Sequence, residues 1–248
     1  MNFDLIYNLF DKYKLTSEDR KFLLKIIKPI LNHEEFQKRF TEDFLHHNKV
    51  TLGEHIIEVA IETFIISKKQ KSNIQLELAL IIAMMHDLYS TSWNNKDAAV
   101  NNFTNKHAFR HPVESVINSA TWFPEIFENS DSYKLVDGIC HHMFPVPVVS
   151  FKDSKENDLE LRNFDLVRNL SEKTKRQLEI STNKNLYSTM LLRPSKYKEG
   201  IIVSNADKLV TANNLKGSNF NILKEMVIGE KVKGNAKTLK KAKEKRWF

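Results

Sequence analysis

Cysteine, glycine and proline are scarce in this sequence of 248 residues, which contains 1 Cys, 6 Gly and 6 Pro. A single cysteine, Cys140, excludes an internal disulfide and a cysteine-based zinc cluster, so a metal site would have to use histidine and carboxylate ligands. So few glycines and prolines argue against a turn-rich all-β protein and favour helices. We therefore expect an all-α protein.

Long apolar runs are absent as well. None approaches the roughly 20 residues that are needed to span a bilayer. The start of the chain, residues 1–4 (MNFD), lacks the basic flank and the small-residue cleavage site of a signal peptide. We expect a cytoplasmic protein without a membrane partner.

Acidic and basic residues balance over most of the chain. The net charge is +7, and residues 231–248 account for all of it, with eight Lys or Arg against the single acid Glu244. Residues 1–230 are therefore neutral overall and give no reason to expect a groove for a polyanion. We expect no nucleic-acid partner apart from weak binding by the basic tail, and the sequence indicates no particular oligomeric state.

Apolar residues recur at the spacing of amphipathic helices along most of the chain. Ser17 precedes two acids and predicts an N-cap, and Pro112 suits the first turn of a helix. We predict helices over 3–14, 17–31, about 34–46, about 53–69, 76–85, about 112–121, about 132–142 and 197–214, with a further helical pattern at about 158–180.

Residues 76–85 (LELALIIAMM) are apolar nearly all round, which predicts a central buried helix, and they run directly into His86 and Asp87. An ionised Asp in this place has a large desolvation cost unless a cation pairs with it or it is neutralised. No Lys or Arg lies between Lys71 and Asp87. A metal ion would supply the positive charge, and imidazole with carboxylate is the ligand set of Zn, Mn, Fe, Co or Ni rather than of Ca.

Two arrangements of such a site are open. Adjacent residues on a helix diverge by about 100°, so His86 and Asp87 either serve one metal at a helix terminus or face two metals with Asp87 as the bridge. Further candidate ligands lie beside helix ends or on helices that flank the central one: His55, His111, His142 and Asp207. Ligands that converge from separate helices of a bundle are an established way to build a dinuclear site.

Three short segments resemble the HD superfamily of metal-dependent phosphohydrolases in order and spacing: Gly53-Glu54-His55, Met85-His86-Asp87 and Asn205-Ala206-Asp207-Lys208. Three others resemble, more narrowly, a poorly characterised bacterial HD family: residues 107–112 (HAFRHP), 142–145 (HMFP) and 197–199 (YKE). The resemblance covers roughly residues 50–215, and the combination of motifs is more specific than any one of them.

This resemblance implies an HD-domain helical bundle with a metal site at its centre, in residues 47–220. The sequence departs from the narrower family by a long insertion at about 148–192. Residues 1–46 would be an N-terminal helical extension packed on that core, and residues 221–248 a basic C-terminal tail. The implied ligands of a first metal are His55, His86, Asp87 and Asp207. A second metal would share Asp87 and be completed by His111 and His142, with His141 as a competitor for His142.

The activity that the resemblance implies is hydrolysis of a phosphate ester, of a nucleotide or a related small metabolite, by metal-activated water. The cofactor would be one or two divalent transition-metal ions, of Mn, Fe, Co, Ni or Zn, with Mg as an alternative. The candidate catalytic residues are Asp87, Lys208 and His107. His107 is a proton donor to the leaving group, an outer metal ligand or a hydrogen-bond partner of a ligand, and simple solvation is the alternative for Lys208. Lys208 and Arg110 are candidates to bind the substrate phosphate, although Arg110 lies in a predicted polar loop, where pairing with a surface acid is the alternative. We assign His33, His46 and His47 to ordinary surface or core positions.

Two other functions remain open. Some HD proteins are di-iron oxygenases that use this same set of ligands. Bound mixed-valence iron and consumption of oxygen would reveal this activity. A non-catalytic module, with a structural metal and a tail that binds polyanions, would show salt-dependent binding without hydrolysis. The Gly-Tyr-Pro element of HD-type cyclic dinucleotide phosphodiesterases is absent from the sequence, which disfavours that substrate.

Overall fold

The computed structural model describes residues 3–46, 50–70, 73–90, 107–146, 148, 171–181 and 193–214, and these parts of the chain are mostly helical, without a strand. The expected all-α class is confirmed. The α-helices are α1 (Phe3–Lys12), α2 (Ser17–Leu31), α3 (Glu34–Gln37), α4 (Leu52–Gln70), α5 (Leu76–Met85), α6 (His107–Trp122), α7 (Pro124–Phe127), α8 (Ser132–Cys140), α9 (Glu172–Ser181) and α10 (Lys198–Asn214). None of these helices is long and apolar enough to cross a membrane.

Helix α5 lies at the centre of the bundle. It contacts α2, α4, α6, α8 and α10. Its side chains are buried on several sides, among them those of Leu80, Ile82, Met84 and Met85. A helix that is apolar nearly all round has to be covered on every side, and residues 76–85 occupy the core that this pattern predicts. The motif residues His86 and Asp87 therefore leave the helix inside the protein.

The two N-terminal helices pack on this core, α1 against α4 and α2 against α5. Helix α2 begins at Ser17 as predicted, but Ser17 is its first helical residue and not its N-cap. Thr16 is the N-cap, because its backbone is extended (φ −68°, ψ 161°) and its hydroxyl accepts a hydrogen bond of 3.2 Å from the amide of Asp19.

The prediction of a single helix at about 34–46 is wrong. This segment forms the one-turn helix α3 and two 3₁₀ turns, Lys38–Phe40 and Glu42–Phe44. Thr41 separates the two turns with an extended backbone (φ −87°, ψ 161°), and its hydroxyl donates to the carbonyl of Lys38 at 2.8 Å. Threonine hydroxyls compete in this way with helical hydrogen bonds, and the apolar spacing alone does not reveal that competition.

Helix α6 begins at His107 and not near Pro112, so the prediction of its start is also wrong. Pro112 lies inside the helix, where its missing amide hydrogen removes one bond near the N-terminal end. His111 and Arg110 are consequently part of the helix. Arg110 is buried, which corrects the expectation of a polar loop at this position.

Helices α8 and α10 cross closely through two glycines, Gly138 and Gly200. A β-carbon added to Gly200 would lie 2.7 Å from the α-carbon of Gly138. The chain leading into α10 is held to α8 by the buried carboxylate of Asp137, which accepts hydrogen bonds from Ser195 Oγ (2.6 Å) and from the amide of Lys196 (2.8 Å). These contacts fix the register between the helix that carries Asp207 and the helix that leads to His142.

The YKE motif has a structural role in this fold. The amide of Gln75, at the N-terminal end of α5, donates a hydrogen bond of 2.9 Å to the carboxylate of Glu199 on α10. A carboxylate at that end of a helix also interacts favourably with the helix dipole. Glu199 thus ties the last motif helix to the central one.

Helix α9 is the described part of the helical pattern predicted at about 158–180, and it packs against α8, where the hydroxyls of Ser132 and Thr174 are hydrogen-bonded. The remainder of the predicted insertion at 148–192, apart from the buried Val148, lies outside the described residues. The predicted tail at 221–248 also lies outside them.

Candidate metal centre

The carboxylate of Asp87 lies among four histidines, with each histidine presenting its Nε2 atom. Oδ1 of Asp87 is 3.2 Å from His111 and 3.4 Å from His142. Oδ2 is 3.6 Å from His55 and 3.5 Å from His86. The two oxygens of one carboxylate therefore face two different pairs of imidazoles.

Asp207 joins the side of the site that contains His55 and His86. Its Oδ1 atom is 3.2 Å from Nε2 of His55 and 3.9 Å from Nε2 of His86. On the other side, the Nε2 atoms of His111 and His142 are 3.0 Å apart. The structure thus brings all six predicted ligands together in two groups that share Asp87.

The end of α5 explains how consecutive residues reach one site. The helix stops at Met85, and the amide of Leu88 donates back to the carbonyl of Met85 at 3.4 Å in a closing turn. His86 and Asp87 lie in this turn, and the backbone of His86 still has helical dihedral angles (φ −59°, ψ −33°). His86 and Asp87 thus leave the helix at its terminus, and the two oxygens of Asp87 face different pairs of histidines.

The donor atoms fit a metal. Nδ1 of His86 lies 2.7 Å from the carbonyl of Ala83, and Nδ1 of His142 lies 2.7 Å from the carbonyl of Ile139. A carbonyl only accepts, so Nδ1 carries the hydrogen in both rings and Nε2 of the neutral imidazole has its lone pair directed into the site. Nε2 of His86 is buried and makes no hydrogen bond within the described ranges, which fits a donor atom of a metal ligand.

The distances between donor atoms also suit coordination. Two ligands that bind one ion at about 2.1 Å, at right or tetrahedral angles, lie about 3.0–3.4 Å apart, and several of the separations above fall in or near this range. Three sets of residues have donor atoms within 4.8 Å of one another: His46, His55 and Asp87; His55, His86 and Asp207; and His86, Asp87 and His142. These His and Asp groups, all buried except for His46, can hold a metal ion.

Burial and the two carboxylates set the charges at the site. Burial lowers the pKa of His86 to about 4, so this ring is neutral near pH 7. Burial also acts to lower the pKa of His55 and of His142, but Asp207 and Asp87 outweigh it and raise the pKa of both. The pKa of Asp87 and that of Asp207 are lowered despite burial, because the surrounding histidines stabilise their ionised forms.

These shifts predict a pH dependence. The raised pKa values of His55 and His142 stabilise the metal-free fold below pH 6.5, and that contribution is lost as the pH rises through the raised values. The apparent metal affinity increases as the pH rises, because coordination needs neutral imidazoles. For each proton that the metal displaces, this affinity changes about tenfold per pH unit. We expect the difference in Tm between metal-loaded and chelated protein to be larger at pH 8 than at pH 6.5. Equal differences would contradict ligation by His55 and His142.

Of the two competing histidines, His142 lies in the site and His141 does not. Nε2 of His141 is buried and makes no hydrogen bond among the described residues. Burial and the charge of Arg193 lower the pKa of His141 to about 4. His142 is held further by Ser204, whose hydroxyl donates to its carbonyl at 2.5 Å.

The other predicted residues lie on the helices that carry the ligands. Lys208 follows Asp207, and its Nζ donates to the hydroxyl of Ser204 and, at 3.1 Å, to the carbonyl of Ser204. Burial lowers the pKa of Lys208 to about 8. Arg110 precedes His111 on α6 and is buried. His107 is the first residue of α6, and its side chain lies outside the described part. The roles of these three residues stay predictions.

Sequence reasoning missed His46. We assigned it to an ordinary position, yet the centroid of its ring is 4.2 Å from that of His55. A signal was available in the sequence, since the histidine pair at 46–47 closely precedes the helix that begins the motif at His55. His33 and His47 were assigned to ordinary positions as well. His33 packs against Phe123, and His47 lies outside the described residues.

Comparison of the chain with protein-family models, with curated proteins and with solved structures found no match. Function has to be inferred from the geometry and chemistry of the site itself.

Proposed function

We propose that this protein is a metal-dependent phosphohydrolase of the HD type, acting on a phosphate ester of a nucleotide or a related small metabolite. The observation that carries the proposal is the position of Asp87, whose two carboxylate oxygens face separate histidine pairs. This is the arrangement expected of a bridging ligand between two metal ions. The order of the six residues along the chain, His, His-Asp, His, His and Asp, supports the HD assignment.

Charge supports a phosphate substrate. His86 is neutral near pH 7, and metal binding would also need neutral His55, His111 and His142. Asp87 and Asp207 would then supply the only negative charges of the six-residue ligand set. Two divalent cations would exceed that charge, so the loaded site would attract an anion. Bound divalent metal would lower the pKa of a coordinated water from 15.7 toward about 7 and stabilise charge on phosphoryl oxygens.

The surrounding residues of the chain would bind and orient the substrate. Lys208, with a pKa of about 8, supplies an ammonium group one residue beyond Asp207. Arg110 supplies a guanidinium, whose planar donors match two phosphate oxygens. His107 is one helical turn before His111 on α6, so the two positions share a face of the helix. We assign His107 to proton transfer to the leaving group.

The test is a screen of nucleotides, dinucleotides and sugar phosphates on metal-analysed protein, supplied in turn with Mn, Fe, Co, Ni, Zn and Mg. Wild-type protein is expected to release phosphate or a phosphomonoester only with metal. His86→Ala removes a buried ligand and should reduce the rate to background. His33→Ala is the matched control, because His33 packs against Trp122 and Phe123 and should leave the rate unchanged.

Two results would reject the proposal. One is a protein that cleaves none of these esters with any of the metals. The other is an iron-loaded protein that consumes oxygen without releasing phosphate, which would replace the hydrolase by a di-iron oxygenase with the same ligands.

A further inference from the structure

His46 lies beside the ligand group formed by His55, Asp87 and their neighbours. The rings of His46 and His55 are 4.2 Å apart and inclined by 33°. The donor atoms of His46, His55 and Asp87 lie within 4.8 Å of one another. His46 is only partly buried, whereas His55 is fully buried. His46 therefore borders the site on the side nearer to solvent.

The backbone holds His46 in this place. Leu45 and Thr51 form an antiparallel bridge, and the amide of His46 donates to the carbonyl of Val50 at 2.8 Å. The chain thereby returns on itself immediately before α4, whose first turn carries His55. This turn-back places a histidine from the N-terminal segment next to the first motif histidine.

The side chain of His46 has a fixed partner as well. Its Nδ1 atom is 3.2 Å from the hydroxyl of Tyr89, two residues beyond Asp87. Tyr89 is itself held, because its carbonyl accepts a hydrogen bond of 2.9 Å from the buried guanidinium of Arg39. Histidines that bind metals usually have such a partner on the second ring nitrogen, which fixes the ring orientation.

We infer that His46 is a further protein ligand of this metal centre, on the His55 side of Asp87, and that Tyr89 positions it. The inference rests on the metal centre of the proposed function and is independent of the reaction catalysed there. It gives the His55 side five protein ligands, His46, His55, His86, Asp87 and Asp207, against three on the other side. The substrate would then bind mainly at the His111 side, next to the helix that carries Arg110 and His107.

The experiment is a Co²⁺ titration of metal-free protein, followed by visible absorption and by competition with a chromophoric chelator. His46→Ala is expected to weaken Co²⁺ binding by about tenfold or more and to change the absorption bands, because the cobalt loses a nitrogen ligand. Tyr89→Phe keeps the imidazole but removes its partner, and should weaken binding less. His33→Ala, in the same N-terminal part of the chain, should match the wild type.

His46→Gln is the second variant, with a polar side chain that still fits beside Tyr89 but binds cobalt poorly. Metal-free variants with wild-type Tm values exclude a folding defect. Wild-type affinity and spectrum in both His46 variants would overturn the inference. A wild type that binds no Co²⁺ would overturn it together with the metal centre. A wild type that binds Co²⁺ but cleaves no ester would reject only the proposed reaction, and the loss of affinity in His46→Ala would still support the ligand.

Discussion

Asp87→Asn is expected to deprive the protein of stable binding of the two metal ions that we propose for this site, and to abolish the proposed hydrolysis. Asparagine has nearly the shape of aspartate, but it is uncharged, and its nitrogen is a hydrogen-bond donor that offers no lone pair to a cation. One of the two histidine pairs that now face Oδ1 and Oδ2 would face an NH₂ group. The other pair would face a neutral oxygen. Both ligand groups lose a charged member through one substitution.

We expect the metal affinity of Asp87→Asn to fall by about 100-fold or more, measured by chelator competition and by metal analysis after gel filtration. His111→Ala is the informative comparison, since it removes a ligand from one group only and should leave one ion bound. Asp19→Asn is the control, because Asp19 pairs with Lys68 at the opposite end of α4 from His55. Two ions retained by Asp87→Asn would contradict the bridging role.

The core of this site was predictable because its chemistry is visible locally. An ionised aspartate just beyond a helix with nine apolar residues out of ten, and without a nearby basic residue, has a large desolvation cost unless a cation pairs with it or it is neutralised. The sequence could not decide whether Asp87 serves one metal or bridges two. That depends on where α6 and the end of α8 place His111 and His142, which only the packing of the bundle determines.

The errors have a common physical cause. Pro112 is a usual signal for a helix start, yet it lies inside α6, where Arg110 and His111 just before it are buried. Periodicity also predicts a continuous helix through Thr41, whose hydroxyl instead bonds the backbone and ends the turn. His46 reaches the site through a backbone bridge between Leu45 and Thr51. Such contacts leave no periodic pattern of apolar residues in the sequence, so periodicity cannot predict them.

Gly200→Ala is expected to destabilise the protein by about 3 kcal/mol, near the upper end for an overpacked core. This effect is opposite in sign to the usual preference of helices for alanine over glycine. Alanine in the interior of an exposed helix is more stable than glycine by about 1 kcal/mol. At Gly200 the added β-carbon would lie 2.7 Å from the α-carbon of Gly138 and 2.7 Å from the β-carbon of Ser195.

Neither Gly138 nor Ser195 can move easily to make room for the added methyl group. Gly138 contributes backbone atoms of a buried helix, and Ser195 is held by its hydrogen bond to Asp137. Helices α8 and α10 would have to separate, which would also displace Asp207 from His55 and weaken metal binding. Urea unfolding of the metal-free variant measures the stability. Asn213→Ala, at an exposed position of the same helix, should change it by less than about 0.5 kcal/mol. A stabilised Gly200→Ala would show that the two helices do not cross at this distance.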